Sequence, residues 1–283
     1  MADLVLAATA QAVLCASLFA LGRRAGRGAG RRVAMVVVAS CCVLLVTYGW
    51  LRDSFALAWA VPVSSAVVLA NFSLPVVAFL AGYGTRVLPG GPGRRGVLLS
   101  LLVAVAVWKA GEPFAGERPV LRDTWVAGVC MQSTEESCSA AAAATLLAGA
   151  GIAATERETA DLALTTTRGT TTLGVYRALS LKTAGTDRRV RVLLTRDVGE
   201  LRAAVAADGP VLLRAGLGRW QRVDPRYTQQ WGWTPGGFHS VLVTGFGPGD
   251  KVWVIDPKIG REAWDLEALH TLWHGGGFQL VRR

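Results

Sequence analysis

Charge is scarce in this chain, and cysteine, histidine and asparagine are scarcer still. Charged residues fill 18% of the 283 positions and hydrophobic residues 52%, whereas an ordinary soluble protein is about a quarter charged. That balance excludes a disordered tail and a uniformly solvated enzyme. Five cysteines are too few for a disulfide scaffold at this length. Cys15, Cys41 and Cys42 fall inside apolar runs, where a cysteine serves as a small hydrophobe. Acidic residues are nearly missing from the first part: residues 1–112 carry 10 Lys/Arg against 3 Asp/Glu. Of the net +10, that part holds +7. The excess sits in two arginine clusters between apolar runs, which is a pattern of membrane orientation and not of a nucleic-acid surface.

Motifs are missing as well. There is no G-x-x-x-x-G-K-[ST], so no nucleotide is expected. No H-E-x-x-H and no G-x-S-x-G is present. The glycines of Gly26–Gly30 neither follow a strand nor open a helix, which leaves a dinucleotide site unsupported. The one asparagine, Asn71, lies in an apolar run and is no glycan acceptor. No metal and no organic cofactor are implied.

What is there begins with long apolar runs. Leu4–Leu21, Val33–Trp50 and Phe55–Ala81 are each long enough to cross a hydrocarbon core, which takes about 20 residues. Pro62 and Pro75 interrupt the third run, where a kink is tolerated within a membrane. A fourth run, Gly96–Trp108, spans only about 20 Å as a helix against a core of about 30 Å. It is either a span with Arg95 and Lys109 snorkelling outward or a core helix of the soluble part. The first run lacks a preceding basic residue and is not read as a cleavable signal. By the positive-inside rule, the Arg23–Arg32 and Arg86–Arg95 loops are cytoplasmic. Everything after Lys109 is then extracytoplasmic if the fourth run spans, and cytoplasmic if it does not.

From about Glu117 the texture alternates between helical and strand-like segments. Ser137–Leu147 is helical by its alanines, Thr155–Glu158 reads as a capping box, and Leu173–Ala184 and Val198–Ala206 are further helices. Val190–Leu194, Val211–Arg214, Ser240–Gly245, Lys251–Ile255 and Gly277–Val281 read as strands. Leading helices and then mostly strands predict an α+β domain. The tract Gly216–Gly237, with Trp220, Trp231 and Trp233, reads as an insertion beside the site; its tryptophans either line a groove or pack the insertion down.

The chemistry points to a thiol. Cys138 opens the alanine-rich helix, where the dipole and unpaired N–H groups favour a thiolate. A nucleophile needs a base, and the chain has three histidines. His270 and His274 are one helical turn apart, with zinc-compatible spacing but no evident third ligand, so they read as an amphipathic helix end. His239 opens a strand behind Gly236–Gly237 and is the candidate base. An imidazole needs an orienting acceptor. Asp256, fixed by Pro257, lies beside His239 if the two strands pair through the Gly247–Asp250 turn. Gln132, six residues before the thiol, is the candidate oxyanion donor. Cys130 is either a buried thiol or a partner of Cys138 in a disulfide.

Gln132–Ser137 and Cys138, followed by the alanine-rich helix, resemble the catalytic start of the bacteriocin-processing, double-glycine leader peptidases. Gly169-Thr170, His239–Gly245 and Val252–Pro257 extend the resemblance over roughly 128–281. It implies a papain-like cysteine peptidase with Cys138 as nucleophile, His239 as general base, Asp256 as orienter and Gln132 in the oxyanion hole. The chain departs from the family in two ways. Ser139 stands where the family has glycine after the nucleophile, and the membrane helices come first, with no ATPase following.

The expectation is an α-helical membrane region of three or four helices, residues 1–112, followed by an α+β papain-like cysteine peptidase domain, residues 117–283. The partners implied are a peptide or protein substrate and the lipid bilayer. The same thioester chemistry also serves an acyl or peptide transferase, and the same fold serves a non-catalytic peptide-binding module.

Overall fold

The computed structural model describes residues 2–283 and divides into two compact units, Met1–Ala115 and Gly116–Arg283. The first unit is helical: α1 (Ala2–Ala25), α2 (Arg31–Leu51), α3 (Phe55–Ala60), α4 (Ala66–Leu69), α5 (Ser73–Val87) and α6 (Pro92–Gly111). The third apolar run is therefore not one kinked helix. It breaks at Val61–Ser65 around Pro62, while Pro75 sits in the first turn of α5, where its missing N–H costs nothing. The fourth run lies in a helix long enough for the spanning alternative. α6 is 20 residues long because backbone hydrogen bonding carries the helix back through Arg94 and Arg95. At 1.5 Å per residue it reaches about 30 Å, the thickness of a hydrocarbon core. Four segments, Ala2–Ala25, Arg31–Leu51, Ala66–Val87 and Pro92–Phe114, are long and apolar enough to cross a membrane.

Close contacts fix how these helices run. A Cβ on Gly82 would collide with the carbonyl oxygen of Phe19, and one on Gly22 with that of Phe79. Only glycine permits that approach. Near the other end of the pair, Gln11 Nε2 donates to the Asn71 carbonyl at 2.8 Å. α1 and α5 are therefore parallel, and their arginine-bearing ends coincide. At the opposite end Arg52, just past α2, meets Glu112, just past α6, at 2.9 Å. Both α2 and α6 thus traverse the unit from one end to the other.

The second unit is α+β. After a hairpin of β1 (Thr124–Val126) and β2 (Val129–Met131) come α7 (Cys138–Gly149), α8 (Glu156–Ala163) and α9 (Thr172–Thr183). Then follow β3 (Arg188–Leu193), α10 (Val198–Asp208), β4 (Val211–Gly216), α11 (Pro225–Gln229), β5 (Phe238–Phe246), β6 (Lys251–Asp256), β7 (Gly260–Asp265), α12 (Leu266–Leu272) and β8 (Gly277–Arg282). The six-stranded sheet is ordered β3-β8-β4-β5-β6-β7, and every neighbouring pair is antiparallel.

Strand alternation sorts the two faces. Val211, Leu213, Val241, Val243, Val252 and Val254 pack with Leu201 of α10 and Leu269 of α12 in one core. Ser240, of opposite parity, reaches α7 on the other face. Helix α7 is almost wholly buried, Ala140–Ala144 being at most 1% exposed. Its run of methyl side chains lets it lie close to β5 on one side and α8 and α9 on the other.

Candidate active site

Cys138 is the first residue of α7. The N-cap residue, Ser137, contributes no side-chain bond to the first turn, because its hydroxyl is spent on the backbone of Thr134. The first-turn N–H groups are left to act on the thiol end of the helix. His239 stands at the start of β5 and Asp256 at the end of β6, two strands paired through the Gly247–Asp250 turn. His239 Nε2 and Asp256 Oδ1 are 2.8 Å apart, and the carboxyl of Asp256 is buried. The same oxygen accepts the Lys258 N–H at 2.6 Å, which fixes the carboxylate from a second direction. With Nε2 committed to Asp256, Nδ1 is the ring nitrogen free for the thiol.

The thiol and the imidazole perturb each other. Burial opposes the Cys138 thiolate, but the His239 ring outweighs it, helped by the Ser240 N–H and the Ser139 hydroxyl, so the thiol pKa lies below its ordinary value. Burial likewise opposes a charged His239, and Asp256 together with Cys138 overcomes it, so the imidazole is pushed up to about 10. The favoured state is a thiolate beside an imidazolium.

Gln132 is tied to the turn that follows Asp256, its backbone N–H donating to the Pro257 carbonyl at 2.8 Å. One amide hydrogen goes to the Thr134 carbonyl at 3.0 Å, and the side-chain oxygen is buried with no hydrogen-bond partner among the described residues. The amide carries two hydrogens, so one remains for another acceptor.

Other features were not legible in the sequence. Ser139 and Ser240 share a hydroxyl hydrogen bond of 2.7 Å, so the residue after the thiol is joined to the residue after the imidazole. Fully buried Glu156 accepts from both the N–H and the hydroxyl of Ser133, next to Gln132. The capping box is half made: Thr155 Oγ1 accepts the Glu158 N–H, while the Glu158 side chain pairs with Lys182. Glu262 and Trp264 come from β7, whose alternation was hidden by its short polar sequence.

Cys130 and Cys138 are both free. Cys130 packs against Ala141 and Ala144, and burial, reinforced by Glu156 and Asp123, pushes its thiol up to about 12. His274 lies beyond the end of α12, and its Nε2 contacts the Gly216 carbonyl at 2.8 Å. Trp220 is exposed, while Trp233 packs edge-on to His239 and to Trp264, with centroids 6.1 Å apart in each case. The 217–237 tract is a loop carrying the short helix α11.

No family model and no curated protein matches the chain. Among solved structures it is similar to the peptidase domain of Streptococcus ComA, a bi-functional ABC transporter involved in quorum sensing, at 17% identity and a TM-score of 0.42, covering 54% of this chain and 96% of that one. It is similar to a double-glycine-motif protease from an AMS/PCAT transporter, in complex with its leader peptide, at 15% identity and a TM-score of 0.40, covering 60% and 99%. A C39-like peptidase from Bacillus anthracis shows 15% identity and a TM-score of 0.39, covering 53% and 90%. Likeness this distant leaves the chemistry to be read from the side chains of this chain.

Proposed function

We propose that the chain is a membrane-anchored cysteine peptidase in which Cys138, His239, Asp256 and Gln132 perform the chemistry. The observation that carries this reading is the geometry: a buried thiol at the first residue of a helix, and an imidazole held at 2.8 Å by a buried carboxylate. Cys138 Sγ attacks the carbonyl carbon of the scissile bond as the thiolate. The oxygen that gains charge is met by the Cys138 N–H and the free amide hydrogen of Gln132. As the C–N bond breaks, the imidazolium of His239 gives its proton to the departing amine. Water, deprotonated by the now neutral imidazole, attacks the thioester, releases the acid and restores the thiolate–imidazolium pair. Asp256 holds the ring throughout.

The anchoring reading assigns the one end of the helical unit where both arginine clusters lie to the cytoplasm. Four crossings then leave Gly116–Arg283 outside it.

Iodoacetamide labelling of the full chain in micelles, across pH, tests the pair. Cys138 alkylation is expected to persist well below pH ~7, to vanish in Cys138→Ala, and to retreat toward the ordinary thiol range near about 8.5 in His239→Ala. A single transition near that value, indifferent to His239, is the behaviour of a peptide-binding module and would remove the peptidase reading.

A further inference from the structure

Beside the His239–Asp256 pair lies a groove of about 630 Å³. Those two residues form part of its wall, and Trp231, Trp233, Glu262 and Trp264 line much of the rest, whereas Cys138 does not line it. Strand alternation agrees: Val241 and Val243 turn to the α10 and α12 face, and Ser240 turns to α7. The groove therefore opens on the side of the imidazole away from the sulfur.

The direction of the chemistry says which part of a substrate this side receives. The acyl fragment stays on sulfur, and the amine leaves after taking a proton from the imidazolium. The imidazole consequently stands on the leaving-fragment side, and so does a groove beyond it.

The charges of the wall say what fits. Lys258 is paired with Glu135 and His239 with Asp256. Asp265 caps α12 by accepting the Ala268 N–H. Glu262 is the remaining carboxylate. It accepts one hydrogen bond, from Trp264 Nε1 at 2.7 Å, and has no cation in an ion pair among the described residues. Burial, with the neighbouring Asp256 charge, lifts its pKa above the ordinary carboxylate value against the opposing pull of the Trp264 bond and the imidazole. An incoming cation would relieve that cost. A carboxylate aimed by an indole, in a wall that also carries Trp231 and Trp233, suits a cation, which can take a charge-assisted hydrogen bond and meet ring quadrupoles in one groove.

We propose that this groove is a leaving-side specificity pocket that receives a lysine or arginine side chain from the segment following the scissile bond, with Glu262 as its anion. The proposal rests on the peptidase reading above and adds the substrate class.

Two measurements on the full chain in micelles test it. In the first, a mixed peptide pool prepared with a Glu-specific endopeptidase is digested and the new ends are read by mass spectrometry. Lysine or arginine is expected to be enriched about tenfold within the first three positions after the cut, a charge-assisted contact's worth of discrimination. The enrichment should be lost in Glu262→Gln and turned toward Asp or Glu in Glu262→Lys. In the second, N-acetyl-arginine amide and N-acetyl-norleucine amide are compared as ligands of Cys138→Ala protein by saturation-transfer NMR. Arginine amide should give the stronger signal, and Glu262→Gln should abolish the difference. Cleavage without basic preference, together with equal signals, overturns the pocket. Glu262-dependent arginine binding with no cleavage of any peptide instead overturns the peptidase reading and its leaving-side assignment.

Discussion

Two residues at the site carry opposite consequences of burial. Cys138 and His239 are both enclosed, which by itself would favour the neutral thiol and neutral ring. Each supplies the counter-charge that reverses this, and Asp256 adds to the reversal at the ring. In the proposed mechanism turnover requires the ion pair, so kcat/KM should plateau between an acid limb below the ordinary thiol range and an alkaline limb near 10, where the imidazolium is lost. Both limbs belong to the coupled pair. Asp256→Asn removes one of the charges that raise the ring, and the alkaline limb should move to lower pH in the profile. A second buried carboxylate, Glu156, acts on the loop that presents Gln132. Glu156→Ala would leave the Ser133 N–H without its acceptor, at about 1–3 kcal/mol. Chemical unfolding in micelles should show that loss, and Glu156→Gln should recover part of it.

At the scale of elements, α7 shows how small side chains determine position. Its five alanines, Ala140–Ala144, are buried against a sheet on one side and two helices on the other. The hydroxyl pair Ser139–Ser240 joins it to β5 within one residue of each member of the thiol–imidazole pair. Ala142→Leu would force methylenes into a fully buried position and should cost about 1–3 kcal/mol. A lowered Tm of the full chain would measure it, with the labelling of Cys138 weakened as the helix shifts. The propensity of alanine for helix was legible in the sequence, and so was the end at Cys138. The reason for alanine in particular was not, because it lies in what surrounds the helix. Likewise β7 escaped notice, and of α12 only a helix end at His270 and His274 was read: Gly260–Asp265 has too little apolar alternation to announce a strand at the sheet's edge. Glu262 and Trp264 were missed with it.

At the scale of the whole molecule, the helical unit concerns the bilayer. The parallel run of α1 and α5 brings Gly26 against Arg86, so the two basic clusters share one end. Fusing a reporter active only outside the cytoplasm after Gly111 should give signal, and fusing it after Gly28 should give none. The reverse pattern would place the thiol in the cytoplasm and overturn the proposed orientation. The 13 apolar residues of the fourth run lie within a helix of 20, because arginines make backbone hydrogen bonds as well as leucines do. Hydropathy measures side chains, and helix length is a property of the backbone.

The sequence by itself determined the division into an apolar helical part and an α+β part, because hydrophobic period and charge balance are local properties. It also singled out Cys138, His239, Asp256 and Gln132, since a helix start, a strand start and a Pro-fixed turn leave local marks. Only the tertiary structure decided that the β5–β6 pairing closes His239 on Asp256 to 2.8 Å. It alone joined Ser139 to Ser240 across 101 residues, and left Glu262 in the groove wall with no ion pair of its own among the described residues. Those relations depend on register and burial between segments far apart in the chain, which no single stretch of residues encodes.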